Sequence, residues 1–182
     1  MSPTTQSTHL TIESLIRSER WKEARLQIRR ELKGAPSSHW LWTRLSLTFY
    51  EQRRYREALV AAQRALELAP RCPLVCWDLA GALQMMGRHS EALAIYRRLS
   101  SIPLRRLAED ACGEGRAWAR GLVVDSHYRM MVSYEQQGKR RAALNSLVKH
   151  LDGRGPGCRS IYPLSETRTD ERRLRNLRSS AG

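Results

Sequence analysis

The residues of this chain that could do chemistry are its four cysteines, its five histidines and a heavy load of arginine. Cys72 and Cys76 stand four apart, a spacing that on one helix turns both thiols to the same face, as part of a zinc site requires. No CxxC pair or clustered histidine accompanies them, so they read as two small buried apolar residues and no metal is expected. Asp125, Ser126 and His127 are consecutive, and neighbouring helical residues point about 100° apart, so they cannot serve together as orienter, nucleophile and base. Gly113-Glu114-Gly115 reads as a helix break. The chain has no G-x-x-x-x-G-K-[ST], no H-E-x-x-H and no G-x-S-x-G. The expectation is a protein with no catalytic residues and no cofactor.

Its 32 basic residues against 18 acidic ones give a net charge of +14 and a pI near 10.6. Only Lys22, Lys33, Lys139 and Lys149 are lysine; the rest are arginine, always charged and able to grip carboxylate or phosphate with two bonds. The excess is spread along the chain. Its densest run is Arg168, Arg172, Arg173, Arg175 and Arg178, of which Arg168, Arg172 and Arg175 share a helix face. No apolar run reaches the roughly 20 residues of a membrane span, and the stretch from Met1 to His9 is polar, without the apolar core of an export signal. Irregular cysteine spacing fits a reducing compartment rather than a disulfide framework, so a cytoplasmic location and no membrane partner are expected. At 182 residues the chain can bury a real core, roughly 70% of its unfolded surface.

The elements that position these residues repeat. Arg20-Trp21-Lys22-Glu23-Ala24, Arg54-Tyr55-Arg56-Glu57-Ala58 and Arg88-His89-Ser90-Glu91-Ala92 align with their alanines 34 apart each time, and Pro36 and Pro70 keep the same interval. A fourth copy, Gly138-Lys139-Arg140-Arg141-Ala142-Ala143, follows Gly87 to Ala92 at 51, which is one repeat and a half. Within a unit the apolar residues keep helical spacing, as at Trp42, Leu45 and Phe49 and then Ala58, Ala62 and Ala65, with a polar break between. Each unit is therefore a helical hairpin whose small residues let two helices approach closely. Between the third and fourth units, Leu104 to Cys112 reads as a short helix and Arg116 to Gln137 as one long helix whose first turns overhang the repeat. After Leu151, the run Asp152-Gly153-Arg154-Gly155-Pro156-Gly157 breaks the helix, Ile161-Tyr162-Pro163-Leu164 is an apolar extended segment suited to lie as a strap, and Ser165 is positioned to cap a last helix anchored by Leu174 and Leu177. This tail reads as semi-independent, so that truncation after Leu151 is expected to leave the repeats folded.

These residues resemble the tetratricopeptide repeat family. A unit begun at His39 puts Trp42, Leu45, Ser46, Phe49, Ala58, Ala65 and Pro70 on the family's preferred positions, with Ala62 departing from an aromatic one. A unit begun at Pro73 adds Cys76, Leu79, Ala80, Leu83, Gly87, Ala92 and Tyr96, and one begun at Val124 adds Met130, Tyr134, Gly138, Ala143 and Leu147. The first unit, from Thr5, keeps Leu15, Ala24, Ile28 and Pro36. The resemblance implies an all-α, right-handed solenoid of about four helix-turn-helix repeats over residues 8–157, with units at about 5–38, 39–72, 73–106 and 124–157, a half-repeat insertion at 107–123 and a basic tail at 158–182.

On each first helix, the positions opposite the packed face would stack into a surface that in this family is the ligand groove. The resemblance places there Trp40, Thr43, Leu47, Tyr50, Leu74, Trp77, Gln84, Asp125, Tyr128 and Val132, with Arg44 and Arg129 beside them. Trp40 and Trp42, about 200° apart around one helix, are expected to face groove and core respectively. Aromatics flanked by arginine suit a binding hot spot. The groove lacks the lysine and asparagine with which the family grips a peptide carboxylate, so the expected partner is a protein segment with acidic and apolar residues, held by an adaptor or chaperone. A small secretion chaperone of this repeat type is one alternative, although those tend to be acidic. RNA or DNA binding through the arginine-rich surface is the other.

Overall fold

A computed structural model describes the backbone of residues 3–179 and the side chains of residue 7 and residues 9–176; Leu177 and Arg178, named above as tail anchor and tail cation, therefore lie outside the described side chains. Among the described residues there are ten helices and no strand: α1 (Pro3–Arg17), α2 (Trp21–Gly34), α3 (His39–Tyr50), α4 (Tyr55–Leu68), α5 (Pro73–Met85), α6 (His89–Ser101), α7 (Leu104–Ala108), α8 (Arg116–Gln136), α9 (Arg140–Gly153) and α10 (Leu164–Ser179). The chain divides into two compact units, Met1–Met86 with α1 to α5 and Gly87–Gly182 with α6 to α10.

The sequence period is a structural one. Helices α2, α4 and α6 start at Trp21, Tyr55 and His89, which are 34 apart, and α9 starts at Arg140, a further 51 on. The four aligned alanines, Ala24, Ala58, Ala92 and Ala143, are each 0% exposed, because a larger side chain there would hold the paired helices apart. Ser46 exploits that closeness: its Oγ donates to the Ala58 carbonyl at 2.9 Å.

The turns before these helices repeat as well. Glu19, Arg53, Gly87 and Gly138 all take left-handed backbone, with φ of 55°, 58°, 77° and 69°. Two of the four copies meet this with glycine, and two accept the steric cost of a Cβ. The following N-cap, Arg20, Arg54 or Arg88, offers no capping side chain and instead pairs with the glutamate three residues on: Nε to Oε1 is 2.7 Å for Glu23, 2.8 Å for Glu57 and 2.7 Å for Glu91. Those carboxylates sit in the first helical turn, where the helix dipole favours negative charge.

In the first unit, Ile12, Ile28, Leu41, Leu45, Phe49 and Val75 form the core. Trp42, expected there, is only half-buried; Leu41 next to it is 3% exposed. The indole N–H of Trp42 donates to the Pro36 carbonyl at 2.8 Å, which pins the large ring at the helix edge. There it lines an open apolar cleft of about 300 Å³ with Leu45, Phe49 and Val60.

In the second unit, α7 buries Leu107 (0% exposed) and packs on α8, while α8 pairs with α6 and α9. The tail is part of this unit rather than an appendage. Leu174 of α10 is 4% exposed and packs with Met131, Ala143 and Leu147, while Tyr128, Val132 and Leu151 lie against that cluster. Helix α10 begins at Leu164, so Ser165 is inside it, not capping it.

Candidate functional site

The sequence points to one face on each unit. In the first unit Trp40 stacks on His9, ring centroids 3.7 Å apart at 20°, and the Arg44 guanidinium lies 5.3 Å from the Trp40 ring centre. Arg44 is held in turn by Glu13, Nε to Oε1 2.6 Å. A wide aromatic plate is thus fixed between an imidazole and a cation, and burial, the largest cause, lowers the His9 pKa. Leu47, Tyr50, Leu74 and Trp77 are half-buried. Thr43 and Gln84 do not present a surface, being 1% and 4% exposed. Thr43 turns its hydroxyl back on its own helix, donating to the His39 carbonyl at 2.8 Å. A residue the sequence reading did not select also belongs here: Asp78, one helical position past Trp77, is pushed up to about 7 by burial, with Glu51 acting in the same sense and Arg44 against it. Its repeat register gives the only signal that could have found it, since Arg44, Asp78 and Arg129 are equivalent positions.

In the second unit, Asp125, Tyr128 and Arg129 are brought together, and they are occupied by the chain's own tail. The strap crosses the first turns of α8 at Gly121, where an added Cβ would stand 2.1 Å from the Arg159 carbonyl oxygen. Only glycine permits that approach. The Arg159 N–H donates to the Ala117 carbonyl at 3.2 Å. Next along the strap, the Asp125 carboxylate accepts the Ser160 hydroxyl at 2.6 Å and the Ile161 backbone N–H at 2.9 Å. Tyr162 stacks on Tyr128, centroids 4.0 Å apart at 29°, with the Arg129 guanidinium 5.8 Å from its centre. The Tyr128 hydroxyl donates to Asp170 at 2.8 Å, and burial together with that carboxylate raises its pKa. Val132 packs beside Leu174.

Beneath the strap lies a buried polar latch. His150, 0% exposed, has Nδ1 2.8 Å from the Val124 carbonyl, so Nδ1 carries the proton and Nε2 accepts from Arg154 at 3.2 Å. The same Arg154 nitrogen donates to the Tyr162 carbonyl at 2.7 Å and to Ser160 Oγ at 3.2 Å. Burial lowers the His150 pKa and raises that of Asp125; for Asp125 the bonds from Ser160 and Ile161 and the charges of Arg154 and Arg129 pull the other way. Ser, His and Asp meet here, but the arrangement anchors rather than attacks. The serine proton is directed to Asp125 and the free imidazole nitrogen to a guanidinium, so no base is set to activate the hydroxyl. His150, Arg154 and Ser160 carry no spacing signal in the sequence, because the latch exists only once the chain reverses through Gly153 to Gly157. None of Cys72, Cys76, Cys112 and Cys158 is in a disulfide, and Cys72 and Cys76 are buried.

The tetratricopeptide repeat family model matches residues 49–102. Among curated proteins the sequence finds no match. Among solved structures the chain is similar to a MamA double mutant of strain RS-1, at 10% identity and a TM-score of 0.71 over 100% of this chain and 88% of that one. It is similar to MamA 41-end from Desulfovibrio magneticus RS-1, at 11% identity and a TM-score of 0.66 over 100% and 98%. MamA of strain MSR-1 gives 23% identity and a TM-score of 0.58 over 80% and 73%. At such identities the likeness is one of fold. Residues 49–102 match the tetratricopeptide repeat, and the chain has the all-helical repeat fold of these structures.

Proposed function

We propose that the chain is a non-catalytic adaptor or chaperone that holds an extended segment of a partner protein against the first-helix faces of its repeats. One observation carries this reading: the face formed by Asp125, Tyr128 and Arg129 already holds a non-helical segment, bent at Ile161 and Tyr162, through a carboxylate on a backbone N–H, a ring on a ring and a guanidinium beside the second ring. These are the terms of peptide recognition, main-chain bonds for affinity and side-chain pockets for selectivity. The partner segment is apolar or aromatic with acidic residues near it, complementing the net charge of +14. Four cysteines outside any disulfide suit a reducing compartment, and we infer a cytoplasmic location. Among the described residues no helix is long and apolar enough to cross a membrane.

The test uses the full chain with the strap weakened by Ser160→Ala and Tyr162→Ala, which leaves the α8 face unaltered, and a labelled peptide of the natural residues 158–164. The peptide is expected to bind this variant, and to lose that binding when Tyr128→Ala or Asp125→Ala is added. A peptide that binds all these variants alike, or none of them, overturns the reading.

A further inference from the structure

Away from the strap, α6, α8 and α9 of the second unit enclose a polar pocket of about 370 Å³, within the range of small-molecule sites. Its polar side chains come from three helices. Arg97 and Ser100 stand on α6, His127 and Tyr134 on α8, and Asn145 and Lys149 on α9. No Asp or Glu lines it, and among the described residues neither Arg97 nor Lys149 pairs with a carboxylate. Arg97 is instead aimed by Tyr134: its NH2 donates to the phenol oxygen at 2.6 Å, and its Cζ lies 5.8 Å from the ring centre. Met130 and the Tyr134 ring supply an apolar wall. His127 reports the field inside. Its Nδ1 is buried without a hydrogen-bond partner, and its pKa is pushed down to about 4 by burial first and then by Lys149 and His150.

Two cations lining one pocket with no carboxylate among its walls suit a ligand of charge near −2. With the two cations, the Asn145 amide brings the donors to more than the two oxygens of a carboxylate would use, while the Ser100 hydroxyl is spent on the Arg97 carbonyl at 3.1 Å. We propose that this pocket binds a small phosphate monoester, its dianion between Arg97 and Lys149 with Asn145 on a phosphate oxygen, and its organic group against Met130 and Tyr134. The site is independent of the strap-bearing face and serves a small ligand, not the partner segment.

The experiment titrates the full chain with phenyl phosphate, inorganic phosphate and benzoate while following the His127 ring signals by NMR. Saturable shifts are expected with phenyl phosphate, with the His127 pKa rising as the positive field is neutralised, and binding weaker by about tenfold or more for benzoate, the difference of one charge-assisted hydrogen bond. Inorganic phosphate is expected to bind more weakly than the ester, lacking the group that meets Tyr134. Arg97→Gln and Lys149→Gln are each expected to weaken phenyl phosphate by about tenfold or more on the same reasoning, whereas Arg141→Gln, an exposed cation on α9 outside the pocket, leaves it unchanged. Lys149 is exposed, so its variant tests the site even if Arg97→Gln impairs folding. Non-saturating shifts, equal affinity for benzoate, no preference for the ester over inorganic phosphate, or an equal loss in Arg141→Gln overturns the proposal.

Discussion

The two units treat equivalent repeat positions differently. In the first, Trp40 and Arg44 are braced by the neighbouring helix, ring against His9 and guanidinium against Glu13. In the second, Asp125, Tyr128 and Arg129 are braced by a segment distant in sequence, the strap at 159–162 and then α10. One unit orders its face with contacts from the preceding repeat, while the other takes in a piece of its own chain as a ligand would be taken. A repeat position therefore prescribes a location and not a chemistry: tryptophan and arginine make a plate there, and aspartate and tyrosine make a clamp.

Four experiments break or sharpen this contrast. The largest effect is expected from Leu174→Ala. If α10 closes the second unit, losing this 4%-exposed side chain costs about 2 to 5 kcal/mol, and hydrogen exchange quickens in 87–182 before 1–86. A surface-like response would return the tail to the semi-independent status that its sequence suggests. Next is Gly121→Ala, whose Cβ would meet the Arg159 carbonyl at 2.1 Å; lifting the strap costs about 1 to 3 kcal/mol and abolishes nuclear Overhauser contacts between Tyr128 and Tyr162, while leaving those of His9 and Trp40 intact.

Acid should separate the units through groups shifted in opposite directions. His127, pushed down to about 4 from 6.5, and His150, also lowered, bind protons more readily in the unfolded chain, so their contribution is complete above pH 6.5 and is lost as pH falls through that window. Asp125, raised, offsets part of this. In the first unit Asp78, raised from 3.8 to about 7, binds a proton in the folded state that the unfolded state refuses between those values, so it gains stability as pH falls through 7, opposed by the lowered His9. Thermal midpoints of His127→Gln and Asp78→Asn across pH 4 to 8 check the signs. The histidine variant should flatten an acid-side fall, and the aspartate variant an acid-side gain. The smallest effect is at the turns. Arg53→Gly should stabilise the first unit by about 1 kcal/mol by relieving a Cβ at φ 58°, and Gly87→Ala should cost about 1 to 2 kcal/mol at φ 77°, both read from denaturant midpoints.

What could be read from residue types alone was whatever recurs. The 34-residue interval, the buried alanines at 24, 58, 92 and 143 and the break at Gly113 to Gly115 are local demands, each met within a few residues of chain, and they appear in the structure where the pattern put them. Faces assigned by counting around a helix were less secure. Thr43 satisfies its hydroxyl on the His39 carbonyl and so can be buried, and Trp42 reaches Pro36 and so stays at the edge, because a hydrogen bond to nearby backbone changes which side of a helix a polar atom can occupy. The latch of Asp125, His150, Arg154 and Ser160 could not be read at all. Its members are brought within hydrogen-bonding distance by a chain reversal through Gly153, Gly155 and Gly157, and its value depends on burial that only the packed unit supplies. Sequence by itself determined the repeat, since helical hairpins are selected by short-range spacing and small residues. Only tertiary structure decided which repeat face would be filled and by what, since a contact between residues some 35 apart follows from where the folded chain returns and not from the pattern along it.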